Sequence, residues 1–184
     1  MKLRSALLAA ALLSGLAACN SDVAATDPDA ASTQGDKTLA DMLADNGELS
    51  SAAEALDGAG LDEALDTQPF YTVLAPTNAA FVTFNDAAGD QTGDVSDQRA
   101  ALAAVMRGHI LPGYLNGEDI AAALAANEGS VTTASMSGTP LTFSREGEAI
   151  RVTAGDGSTA LVQGNGLGGS NGVFLPIDAV LKQL

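Results

Sequence analysis

Gly164, Gly166 and Gly169, within QGNGLGGSNGVFLPID (Gln163 to Asp178), satisfy G-x-G-x-x-G, the spacing of a turn that cradles a dinucleotide pyrophosphate. That chemistry needs a strand before the glycines and a helix starting among them, because the first N–H groups of the helix bind the phosphates. TALVQ (Thr159 to Gln163) reads as a strand, but SNGVFLPID reads as a second strand with Pro176 inside it. An acidic residue about 20 positions further on, which would hold the ribose, is also missing. These glycines are expected to be a turn leading into a strand.

His109 is the only histidine, so histidine metal clusters and paired-histidine chemistry are excluded. A Ser-His-Asp arrangement lacks the G-x-S-x-G elbow that would present its serine. His109 falls on the apolar face made by Leu102, Val105 and Met106, where a buried, hydrogen-bonded structural imidazole is expected. The acid-rich DAAGDQTGDVSD (Asp86 to Asp97) lacks the EF-hand order of calcium ligands and reads as a solvated loop. No pair of carboxylates stands at a spacing that marks acid–base work. No catalytic set, metal or cofactor is expected.

The elements that must position these residues fall into two halves. Before Asn127 the periodicity is helical. TLADMLADNG offers Thr38 as a cap, Leu39, Met42 and Leu43 as one face, and Gly47 as a stop. In SAAEALDGAG, Ser51 and Glu54 fit the S-x-x-E capping box. LDEAL, SDQRAALAAVMRGH and EDIAAALAAN continue the pattern. After Asn127, short runs rich in Val, Ile, Thr and Phe are separated by Ser-Gly, Glu-Gly and Asp-Gly, which is hairpin grammar. Leu141 and Phe143, then Ile150 and Val152, alternate with polar neighbours, predicting an antiparallel sheet with one buried face. The class is α+β.

The chain has 184 residues and a formal charge of −15. Its start reads as an export signal: a positive head (Lys2, Arg4), an apolar core (Ala6 to Leu13) and small residues before Cys19. The core is shorter than the ~20 residues a membrane span needs. LAAC (Leu16 to Cys19) resembles the lipobox of bacterial lipoproteins, which implies a diacylglyceryl group on Cys19, the only cysteine. Asn20 after it, where Asp favours inner-membrane retention, favours the outer membrane.

Losing residues 1–19 removes Lys2 and Arg4, leaving 6 basic against 23 acidic residues and a charge of −17. Such a surface repels phosphate backbones, so nucleic acid is not an expected partner. Residues 20–36, NSDVAATDPDAASTQGD, have too little apolar surface to fold. They read as a disordered tether with a reach of roughly 23 Å. Residues 37–184 are one domain's length and contain all seven aromatics.

Three stretches in order resemble the fasciclin domain. FYTVLAPTNAAF (Phe70 to Phe81) looks like a strand running through APT into a helix capped by Thr77. ALAAVMRGHILPGYL (Ala101 to Leu115) looks like the segment with the central histidine and the PG turn. SNGVFLPIDAVL (Ser170 to Leu181) looks like the closing strand, with Asn171 at its turn and Asp178 at its end. The sequence departs from the family at Asn78, where Asp is usual, at Gly108, and at Leu175, which replaces a second histidine. Pro176 donates no ladder bond, so its strand is expected at an edge or bulged.

The resemblance implies a seven-stranded β-wedge with helices on one side and a non-catalytic adhesion or protein-interaction module outside the cell. Asn78 and His109 are expected to pair by a neutral hydrogen bond where the family has Asp and His. The partner implied is an envelope or extracellular protein or a polysaccharide. The alternative is a small hydrophobic-ligand module, which calls for a pocket lined by Leu, Val and Phe. A hydrolase would need Ser or Asp within reach of His109.

Overall fold

Thr38 starts the fold. Its side chain accepts from the Asp41 N–H while Asp41 reaches back to the Thr38 N–H, a reciprocal cap for helix α1 (Leu39–Asp45). Helices α2 (Ser50–Ala59) and α3 (Asp62–Thr67) follow, then strand β1 (Tyr71–Pro76). Next come α4 (Asn78–Ala88), α5 (Val95–Gly108), β2 (Ile110–Pro112) and α6 (Gly117–Ala126). The last six elements are strands: β3 (Ser130–Ala134), β4 (Pro140–Glu146), β5 (Ala149–Ala154), β6 (Thr159–Leu161), β7 (Leu167–Gly169) and β8 (Gly172–Ile177). This computed structural model describes residues 37–67, 70–88 and 95–182, all within one compact unit, Ser32–Leu184. The export signal, Cys19, the tether and the centre of the acid-rich loop lie outside the described residues.

The α+β class stands, and the described residues hold eight strands rather than seven, in two sheets of four ordered β2-β1-β8-β7 and β3-β4-β5-β6. The second sheet is the expected antiparallel run, and β4 buries Leu141 and Phe143 in alternation. The first sheet differs from expectation at its centre. There β1 and β8 run parallel, with Val73 opposite Phe174 and Ala75 opposite Pro176. Both faces of that pair are buried, so β1 is inaccessible from Thr72 to Pro76 rather than alternating.

The two faces sort the core into layers. On one side Val73, Ala75, Phe174 and Ile110 pack with Leu39, Leu43, Leu49, Leu56, Leu65 and Met106 from the helices. On the other, Leu74, Leu111, Leu175 and Ile177 pack with Leu141, Phe143 and Val152 of the second sheet. Helix α6 joins this second layer through Ile120 and Leu124, so the helices do not all lie on one side. Each large aliphatic buried here is worth about 1.5–3 kcal/mol.

β8 is an interior strand, between β1 and β7, but β7 reaches only to Leu167, opposite Phe174, so Pro176 lies beyond it and is flanked by β1 alone in that sheet. The Pro176 carbonyl faces away from β1 and accepts from the Gln163 N–H (2.7 Å). A residue's N–H and C=O point to the same side of a strand, so the missing donor costs no bond to β1. Next to it, Val162 bridges to Ile177 while its N–H donates to Ile150 in the second sheet, which ties the two sheets together.

Glycine explains the closing turn by size. A Cβ at Gly172 would sit 2.1 Å from the Tyr71 carbonyl oxygen and 2.7 Å from Leu39 Cδ1. The glycine-rich run is thus the approach of β7 and β8 to β1 and α1, and no helix begins in it.

Candidate functional site

Thr77 stands where the parallel strands end, and its hydroxyl accepts from the Ala80 N–H to cap α4 (3.3 Å). Asn78 follows, and its amide is used on both sides. The Oδ1 accepts from the Ser51 N–H (2.9 Å), and the Nδ2 donates to the Gly47 carbonyl (2.8 Å). Its main-chain N–H donates to the Glu48 carbonyl (2.9 Å). The expected Ser51/Glu54 box does not form, because α2 starts two residues earlier, with Leu49 rather than Ser51 at its N-cap and no side-chain acceptor there. Asn78 supplies that acceptor from another element. An aspartate could accept from Ser51 but could not donate to Gly47, which is what the amide adds.

His109 does not meet Asn78. The imidazole is fully buried at the end of α5. Its Nδ1–H donates to the Val105 carbonyl (2.9 Å), and its Nε2 accepts from the Leu181 N–H (2.9 Å). The expected pair fails because both ring nitrogens are taken by backbone groups, while Asn78 is engaged by the α1–α2 turn. Burial pushes the His109 pKa down from 6.5 to about 4, against smaller upward pulls from the Val105 bond and Asp156. A buried neutral imidazole with no hydroxyl or carboxylate on its nitrogens cannot act as a general base toward an outside molecule.

Asn171 joins three segments at the start of β8. Its Oδ1 accepts from the Leu39 N–H (2.7 Å), its Nδ2 donates to the Leu65 carbonyl (3.1 Å), and its own carbonyl accepts from Phe70 (2.8 Å). Asp178, at the other end of the strand, accepts from the Leu161 N–H through Oδ1 (2.6 Å), and its N–H donates to the Leu161 carbonyl (3.2 Å). Six strand residues separate these two, so they sit about 20 Å apart and form no common site.

Thr77 and Asp178 do share a site. A half-open groove of about 390 Å³ lies at the carboxyl ends of β1 and β8, between Thr77, Asp178, Gln163, Pro176 and the Asn46–Glu48–Leu49 turn. Asn78 holds that turn in place. Glu48, Gln163 and Asp178 are exposed along the groove, which is not the Leu-, Val- and Phe-lined pocket a hydrophobic ligand calls for. Asn46, Glu48 and Gln163 were not legible as site residues, because two segments more than a hundred residues apart bring them together and neither carries a motif. Among the described residues, no cluster of three or more His, Cys, Asp or Glu is placed to hold a metal.

Two sheets sharing a core, one with a parallel central pair, and a helical layer bound to the first define the class: a mixed wedge of the kind seen in adhesion domains. The profile of the fasciclin domain matches residues 47–183, and the chain belongs to that family. A solved FAS1 domain pair from the insect cell adhesion molecule Fasciclin I is similar, with a TM-score of 0.58 and 27% identity. The match covers 74% of this chain and 45% of that one, so this chain spans less than half of the pair's length. Protein sll1483 of Synechocystis sp. is 29% identical over 151 residues, covering 82% of this chain and 76% of that protein. The fasciclin domain is an adhesion and protein-interaction module rather than an enzyme family.

Proposed function

We propose that this protein is an exported fasciclin-domain lipoprotein, anchored through Cys19, that presents a non-catalytic interaction surface on a tether from the cell envelope. The observation that supports it is how the polar residues are used. Thr77, Asn78, His109, Asn171 and Asp178 all spend their side chains on backbone groups of their own fold. Such residues shape a surface and leave no reactive group at its centre. The groove at the ends of β1 and β8 is the contact surface, and its partner is an envelope or extracellular protein or a polysaccharide. Asn20 favours the outer membrane over the inner one for that anchor.

Two experiments test this reading. Metabolic labelling with a fatty acid should mark the full chain and fail on Cys19→Ser, and an unlabelled wild-type chain would remove the anchor. Capture of an envelope partner by the lipid-free protein should be lost in a Glu48→Arg/Gln163→Arg double variant whose melting curve is unchanged. Undiminished capture by that variant would move the contact surface elsewhere.

A further inference from the structure

Four Asn-Gly pairs occur in the sequence, at Asn46, Asn116, Asn165 and Asn171. Asn-Gly is the dipeptide in which the glycine nitrogen most easily attacks the asparagine side chain, since glycine leaves that nitrogen unshielded. The fold treats the four very differently.

Asn171 is bonded through both amide atoms. The Oδ1 of Asn116 caps α6 by accepting from the Asp119 N–H (2.8 Å), and the Gly117 N–H, which would be its attacking nitrogen, is committed to the Asn165 carbonyl (3.0 Å). Asn46 resembles Asn165 in that its carbonyl accepts a backbone N–H, from Leu49 (3.0 Å), but its Oδ1 also accepts from the Glu48 N–H (3.1 Å), which holds the side chain in a closed local turn. Asn165 is exposed, and its side-chain amide makes no hydrogen bond to any described residue. The Gly166 N–H also has no partner among the described residues. Meanwhile the Asn165 carbonyl accepts the Gly117 N–H. That bond draws electron density off the Asn165–Gly166 peptide and makes its nitrogen easier to deprotonate.

We propose that Asn165 is a self-modification site, where the chain deamidates through its own backbone in the folded state. The deprotonated Gly166 nitrogen bonds to Asn165 Cγ, and the Cγ–Nδ2 bond breaks, with ammonia leaving. The resulting five-membered imide is opened by water, at one carbonyl to give aspartate and at the other to give isoaspartate. Charge changes by one unit, and no oxidant or second protein is needed.

The consequence is local and structural. A Cβ at Gly117 would meet Asn165 Oδ1 at 2.8 Å, and one at Gly166 would meet the Phe174 carbonyl oxygen at 2.7 Å. Isoaspartate places an extra methylene in the main chain between those two close contacts. It therefore loosens the junction of α6 with β7 and β8, which carries the Gly117–Asn165 bond.

The test ages the purified full chain in mildly alkaline buffer and follows each Asn-Gly peptide by mass spectrometry, with enzymatic methylation to count isoaspartate. The result expected is loss of one amide per chain, at Asn165, before the other three change, and no isoaspartate in Asn165→Ser. Aged in denaturant, all four should convert together. An Asn165 that keeps its amide overturns the proposal. So does conversion of Asn46, Asn116 or Asn171 as fast as Asn165 in the folded chain, or an ordering that survives denaturation.

Discussion

The Leu181 N–H donates to His109 Nε2 across 2.9 Å, joining residues 72 positions apart in a fully buried bond. The acceptor is available only while the ring is neutral, and the Val105 carbonyl keeps the proton on Nδ1. His109 is thereby the latch that holds the segment after β8 against the end of α5.

The first prediction is a pH dependence. The unfolded imidazole protonates near 6.5 and the folded one only near 4, so the unfolded chain takes up the proton first as pH falls. The His109 contribution is complete above pH 6.5 and is lost on descending through pH 4, about 3 kcal/mol in all. Urea midpoints across this window should fall for the wild type. His109→Gln should be less stable at neutral pH and flatter between those limits.

Removing the remote cap should uncouple α2 from α4. Asn78→Ala leaves the Ser51 N–H and Gly47 carbonyl without their partner and should cost about 1–2 kcal/mol in thermal unfolding. Asn78→Asp keeps the acceptor for Ser51 and loses only the donor, so its cost should be the smaller of the two. Equal losses would mean that capping is not the role of Asn78.

Gly172 and Gly47 make a matched pair. Alanine at Gly172 meets main chain at 2.1 Å, where nothing can rotate away, and should cost more than about 3 kcal/mol or prevent soluble expression. Alanine at Gly47 meets nothing within 4 Å and should change stability by less than about 0.5 kcal/mol.

Asn171→Ala should lower stability by about 2–3 kcal/mol, since it strands the Leu39 N–H and the Leu65 carbonyl together. Asn165→Ser in the same loop system, with no amide bond to lose, should melt with the wild type.

Much of this fold was legible locally. The Thr38 and Thr77 caps, the apolar face ending in His109, the hairpins of the second sheet and the three fasciclin stretches all depend on neighbours in sequence. What escaped depends on distance. The parallel pairing of β1 with β8 joins strands about a hundred residues apart, and no periodicity announces a partner's direction. The Ser51/Glu54 pattern misled because the true acceptor comes from Asn78, 27 positions on. Strand β7 is Leu-Gly-Gly, a composition with no strand preference, paired only because β8 lies beside it. Asn78 and His109 were each legible as polar residues that need partners. Their partners are backbone groups, which carry no residue-type signal.

Heteronuclear NMR of the His109 ring through a pH titration tests most directly whether the polar residues serve the fold rather than chemistry. The account predicts a neutral ring protonated on Nδ1, unchanged from neutral pH until close to pH 4, where the protein begins to unfold. A ring that titrates reversibly near 6.5 in the folded state, or carries its proton on Nε2, would contradict it.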